Sequence, residues 1–172
     1  MRREYDIILF MRIKNYLLYG GLMKKFKIYL DSCCFSRPFD EITNDKMKLE
    51  CEAVLTIISK CEEGIWDIFE SDILDDEFDR MTDLIQKQKV LGLYSSTSIY
   101  VEINDTIISR AKEFHTVNIK PFDALHLASA EYGEADILLT TDRKFLNRAL
   151  KSNAKIKVSN PAVWLMEVLF ND

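Results

Sequence analysis

Apolar positions along this chain follow two spacings. Short runs rich in apolar residues, Lys27–Leu30 (KIYL), Ile65–Phe69 and Ile137–Leu139 (ILL), read as buried strands. Elsewhere apolar residues recur every three or four positions and read as helices. A helix is predicted from about Asp45, with Met47, Cys51, Val54, Ile58 and Cys61 on its stripe, Leu49 and Ile57 widening it, and Gly64 ending it. Ser71 or Asp72 suits the cap of the next helix, whose apolar face collects Ile73, Leu74, Phe78, Met81, Leu84 and Ile85. Val90–Tyr94 reads as a further strand. Ile99–Phe114 reads as a helix with Val101, Ile107, Ile108, Ala111 and Phe114 inward. Pro121 opens a helix through Tyr132, and Gly133 is a suitable stop. A helix to about Lys151, a strand at Ile156–Val158 and a helix from Asn160-Pro161 through Leu169 complete the series. Arg37-Pro38-Phe39-Asp40 is expected as a loop, because proline disfavours helix at the residue before it.

Strands alternating with helices predict an α/β fold, with helices on both faces of a mostly parallel sheet. The 172 residues suit one domain, and no shift in composition suggests a second. The exception is the start. Residues 1–22 contain a short apolar run, Ile7–Met11, broken by Arg12 and Lys14. That run is too short for a membrane span or a signal peptide. The text from Met23 (MKKFKIYLD) reads like an ordinary start. Residues 1–22 are therefore expected as an appendage, an over-extended start, or one extra element, and 23–172 as the single domain.

The composition is that of an ordinary globular protein, 48% hydrophobic and 30% charged. A net charge of -5 excludes a surface built as a basic platform for nucleic acid. It leaves open a site in which carboxylates hold cations, since the bound metal restores the local balance. The four cysteines form no Cys-x-x-Cys pair and the two histidines have no zinc-finger spacing. They read as free thiols in a reducing cytoplasm.

Two acids occupy equivalent places. Asp31 follows the strand KIYL, and Asp142 follows ILL after Thr140 and Thr141. Open α/β sheets bind ligands beyond the carboxyl ends of their strands. Helices starting nearby would deliver Glu77, about one turn in, and Asp123, in the first turn after Pro121. Three or four carboxylates in one pocket repel one another, and a divalent cation relieves the repulsion. Magnesium, with its preference for oxygen ligands, suits such a set, and such a site suits phosphodiester hydrolysis.

Spacing does not select these four among 28 acidic residues. The surrounding words do. IYLDSCCFSRPFD, SDILDDEF, IKPFDALHLASAEYGEADILLTTDRKFL and the late NPAVWL together resemble the PIN-domain nucleases, from about Lys27 to Leu165. That resemblance implies a PIN-like three-layer α/β/α sandwich that cuts single-stranded RNA with Mg2+ or Mn2+. It implies an acidic centre of Asp31, Glu77, Asp123 and Asp142. Many small members of the family are toxins silenced by an antitoxin protein, and many are dimers. An antitoxin and a second copy of the chain thus join RNA as expected partners, with no membrane. Toxin status itself is not selected by these residues. A catalytically quiet PIN-like module binding RNA or protein is the alternative. A receiver-like phosphohydrolase would want an Asp-x-Asp motif or a lysine placed after a strand, and KIYL is followed by neither.

The chain departs from the simplest family pattern by SRPFD after the first acid and by its first 22 residues. Asp75 and Asp76 crowd Glu77, but helical phase puts Glu77 beside the apolar stripe and the other two toward solvent. Each acid also has an ordinary reading, Asp31 and Asp142 as helix caps and Asp123 as a first-turn acid. Ser32, Thr140 and Thr141 are candidates to orient a carboxylate or water. Arg37 is equally a phosphate clamp or the partner of Asp40. Glu50 is expected as a solvated or partly buried acid outside the pocket. His126 is expected as a packed or hydrogen-bonded histidine, and Cys33 and Cys34 as small groups near the site. Trp66 and Trp164 are expected in the core or an interface.

Overall fold

The structure is a computed structural model, and it describes residues 25–94 and 99–170. Residues 1–22, read above as an appendage, lie outside the described residues. The described strands are β1 (Lys27–Leu30), β2 (Asp67–Ser71), β3 (Ile99–Val101), β4 (Ile137–Leu139) and β5 (Lys157–Ser159). They form one parallel sheet in the order β3-β2-β1-β4-β5. Ile28, Tyr29 and Leu30 of β1 and Ile137, Leu138 and Leu139 of β4 are all buried. Successive strand residues point to opposite faces, so both faces of the sheet are covered. The fold is the expected three-layer α/β/α sandwich.

The helices are α1 (Ser32–Ser36), α2 (Asp45–Glu62), α3 (Asp72–Asp79), α4 (Leu84–Tyr94), α5 (Asp105–Thr116), α6 (Pro121–Tyr132), α7 (Arg143–Ala149) and α8 (Pro161–Phe170). Most start where the sequence supplies a cap. Asn44 accepts from Met47 N, Ser71 from Leu74 N, and Asn104 from Thr106 N and Ile107 N. α2 packs against α8, and α5 against α6. Phe26, Trp66 and Trp164 close one end of the core, Phe26 edge to face with both tryptophans, with ring centroids 5.2–6.0 Å apart. Both tryptophans are core residues, as expected. Gly133, the cap after α6, lies against Phe69, whose ring would stand 2.6 Å from any added Cβ.

Several expectations are corrected. Val90–Tyr94 is the end of helix α4 and not a strand. Val90 and Tyr94 are buried one turn apart while Leu91 between them is exposed, which is helical phase. The apolar face running from Ile73 to Ile85 is divided between two helices. Leu84 and Ile85 open α4 at 71% and 69% exposure, so they do not continue the stripe of α3. Ile99–Val101 is the edge strand β3, and its helix begins only at Asp105 behind the Asn104 cap. Leu49, at 58% exposure, and Ile108 face outward. Ser32–Ser36 is helical and Arg37–Phe39 forms a 3-10 turn where a loop was expected. Proline at the second position of that turn needs no backbone N–H donor there.

The strand order fixes where a site forms. From β1 the chain winds to β2 and β3 on one side, then returns to β4 and β5 on the other. The switch point lies between β1 and β4, whose carboxyl ends open into a crevice. Asp31 directly follows β1, and Thr140–Asp142 directly follow β4. Among the described residues, no helix is long and apolar enough to cross a membrane.

Candidate functional site

Asp31 occupies the N-cap position of α1, yet its side chain makes no capping bond. Its Oδ2 accepts from Thr140 Oγ1 at 2.7 Å and from Cys33 Sγ at 3.0 Å. Ser32 Oγ is 3.5 Å from Oδ1. The carboxylate is 6% exposed and is held by donors from both strand ends.

Glu77 reaches the same place from α3. Its Oε2 lies 2.6 Å from His126 Nε2, and the same nitrogen is 3.6 Å from Asp31 Oδ1. Asp31, Glu77 and His126 each offer an atom within 4.8 Å of the others, a group with the spacing of metal ligands. Burial favours the neutral acid at Glu77, but the hydrogen bond and charge of His126, with Ser32 and Arg80, outweigh it and hold the carboxyl below its usual range. At His126 burial favours the neutral ring. The bond to Glu77 and the charges of Asp31, Glu77 and Asp123 outweigh it and raise its affinity for a proton. Asp75 instead accepts from Tyr100 and Asp76 pairs with Arg80, so Glu77 is the acid of its run that faces His126.

Asp123 opens α6. Its carboxyl is pushed from the ordinary 3.8 up to about 6, first by burial and then by the charges of Asp31 and Asp142, with Lys120 opposing. Its Oδ2 is buried and has no hydrogen-bond partner. Asp142 caps α7, with Oδ1 accepting from Lys144 N at 2.6 Å and Phe145 N at 3.1 Å. Its own N–H donates to Thr140 Oγ1 at 3.0 Å. The tightest group is therefore Asp31, Glu77 and His126, with the charge of Asp123 acting on His126 and that of Asp142 acting on Asp123.

The other singled-out residues fall as follows. Thr140 orients Asp31 directly. Thr141 Oγ1 is 3.5 Å from the Cys33 carbonyl and makes no bond to an acid. Arg37 pairs with Asp40 at 2.9 Å and with Glu50 at 3.2 Å. Glu50 lies outside the acidic group but is buried more deeply than expected, at 1% exposure. Arg37, Lys46 and Asn160 surround it and offset the cost of that burial. Cys33 and Cys34 stand beside the site, Cys33 on Asp31 itself. Sequence reasoning missed Tyr29, whose hydroxyl lies 3.0 Å from His126 Nδ1. Its place two residues before Asp31, as the one hydroxyl on the buried stretch Ile28–Leu30, was the signal for it.

A family model described as the PIN domain matches residues 28–151. The chain belongs to the PIN-domain family. PIN domains are generally nucleases and usually use a divalent metal. Among solved structures, this PIN domain is similar in fold to VapBC2 from Rickettsia felis bound to a DNA fragment from its promoter. The match has 16% identity and a TM-score of 0.53, and covers 78% of this chain and 98% of that one. PAE2754 from Pyrobaculum aerophilum matches at 12% identity and a TM-score of 0.48, over 84% of this chain and 90% of that one. No curated protein matches the sequence.

The donor set fits a hard divalent cation. Carboxylate oxygens dominate it, one buried oxygen of Asp123 lacks a partner, and burial together with like charges has raised the Asp123 carboxyl.

Proposed function

We propose that this PIN domain is an endoribonuclease that hydrolyses phosphodiester bonds of single-stranded RNA with Mg2+ or Mn2+. Asp31, Glu77, Asp123 and Asp142 would hold the cation. The observation that carries the reading is the meeting of Asp31 and Glu77 at the sheet's switch point beside Asp123, whose buried Oδ2 has no partner.

Phosphodiester hydrolysis needs a deprotonated water and neutralisation of charge on the phosphoryl oxygens, and a divalent cation supplies both. The chain's own residues supply the geometry. Thr140 and Cys33 fix one oxygen of Asp31, and His126 fixes one oxygen of Glu77, leaving the other oxygens for the cation. Asp142 gives Oδ1 to the cap of α7, so Oδ2 is the oxygen it would offer a cation. Lys120, beside Asp123, and Arg143 and Lys144, beside Asp142, steer the polyanion toward an otherwise acidic pocket.

The decisive experiment incubates purified protein and single-stranded RNA with Mn2+, with Mg2+ and with chelator. Cleavage with either metal and none with chelator is the expected result. RNA binding without cleavage under every condition would favour the quiet module instead. On the same reading, an antitoxin protein and a second copy of the chain are the expected partners. A neighbouring reading frame for a small DNA-binding protein, and sedimentation at twice 20.1 kDa, are their checks.

A further inference from the structure

A buried polar chain runs behind the acidic group. Tyr29 is fully buried on β1, and its hydroxyl lies 2.7 Å from Ser71 Oγ and 3.0 Å from His126 Nδ1. Ser71 caps α3, the helix that carries Glu77, by accepting from Leu74 N at 3.4 Å. His126, on α6, meets Glu77 through its other nitrogen at 2.6 Å. One hydroxyl thus ties together the strand that ends at Asp31, the helix that presents Glu77, and the ring against which Glu77 rests.

The protons can be counted. Ionised Glu77 only accepts, so the short contact needs a proton on Nε2. In the neutral ring Nδ1 is then bare and needs a donor. Among the described residues Tyr29 is the hydroxyl in place. Ser71 O–H donates in turn to the Tyr29 oxygen, and Leu74 N–H donates to Ser71. Each hydroxyl donates once and accepts once, and the chain closes on Glu77. Direct metal ligation by His126 would require the opposite arrangement, a bare Nε2 and a proton on Nδ1.

We propose that Tyr29 is a positioning residue of the acidic centre: its hydroxyl anchors His126 Nδ1, keeps Nε2–H on Glu77, and so sets where the second oxygen of Glu77 stands relative to Asp31. The cation is taken from the function proposed above, whereas the ring orientation is independent of it. Outer groups that orient a ligand typically change metal affinity by about 10–100-fold when removed. Tyr29→Phe deletes the hydroxyl and keeps the ring that packs 6.0 Å from Phe69.

The test has two arms. Nitrogen-15 NMR of the unaltered protein, metal-free and with Mg2+, reads the tautomer of the neutral ring. There are only two histidines, and His115→Gln assigns them. The expected result is a proton on Nε2 in both states. A neutral ring with its proton on Nδ1 and a bare Nε2, in either state, overturns the proposal, whether or not any variant folds. In the second arm, Tyr29→Phe should weaken Mn2+ binding at least about tenfold and mix the two tautomers. A folded variant that binds Mn2+ within twofold of the parent and keeps a pure Nε2–H ring also overturns it. An unaltered protein that binds no Mn2+ would sink the cation reading, and the tautomer would still decide the role of Tyr29.

Discussion

Asp31 and Asp142 stand at neighbouring strand ends, each just before a helix, yet their carboxylates do different things. Asp142 accepts from Lys144 N and Phe145 N, two and three residues ahead, as an ordinary N-cap does. The side chain of Asp31 makes no capping bond to a backbone N–H of the helix it precedes. Its donors are Cys33 and, from across the sheet, Thr140. Thr140 connects the two turns, since its hydroxyl accepts from Asp142 N and donates to Asp31 Oδ2. The cap is a local device that any strand-to-helix turn can supply. A carboxylate left out of its local cap and held by a distant donor is free to face a ligand.

The largest expected effect is at Asp31. Asp31→Asn should remove Mn2+ binding in calorimetry and reduce RNA cleavage to the level seen with chelator, while the circular dichroism stays native. Substantial cleavage by the folded variant would overturn the assignment. Asp142 divides its two roles between two variants. Asp142→Asn keeps a capping oxygen, so its melting temperature should stay near the parent's while cleavage is lost. Asp142→Ala loses the cap as well, at about 1 kcal/mol. Equal melting temperatures for the two variants would mean that the cap contributes nothing.

Thr140→Val tests the link between the turns. It leaves Asp142 N–H without its partner and Asp31 Oδ2 with Cys33 alone, and should destabilise the protein by about 1–3 kcal/mol in urea. Mn2+ affinity should fall by about 10–100-fold. Loss of stability with unchanged affinity would make Thr140 a purely structural bridge.

The pH dependence is smaller and has a definite sign. Asp123 is raised to about 6, so the folded metal-free protein holds this proton where the unfolded chain has lost it. Stability from this group is full below 3.8 and is lost as pH rises through about 6. His126, also raised, contributes in the same direction from its ordinary 6.5 upward. Metal-free melting temperature should therefore fall as pH climbs from 3.8 to about 6, while Mn2+ affinity rises over the same interval as Asp123 ionises. A melting temperature that rises through that window would remove Asp123 from the pocket. The smallest effect is expected at Asp76, whose exposed pair with Arg80 is worth about 0.3–0.5 kcal/mol, and Asp76→Asn should leave cleavage within twofold.

Much of this was legible along the chain. Consecutive apolar residues marked β1 and β4, and the acids at their ends followed from that reading. Ser71 and Gly133 bound their helices through chemistry contained within a few residues. Local chemistry failed where one run fits two periods. Val90–Tyr94 satisfies strand and helix alike until packing buries its residues one turn apart, and Ile99–Val101 became a strand only by pairing with Phe69–Ser71. Helical phase singled out Glu77 from Asp75 and Asp76, but no periodicity could bring it to His126, 49 residues on.

The sequence by itself determined the α/β class and the membership in the PIN-domain family, and it named the four acids proposed as the site, because strand ends and caps are short-range features written in neighbouring residues. Only the tertiary structure decided which acid caps and which stands free, that Tyr29 and His126 back Glu77, and that Thr140 serves both turns. Those choices depend on which donors arrive from other strands and helices, and burial raises the cost of leaving any of them unpaired.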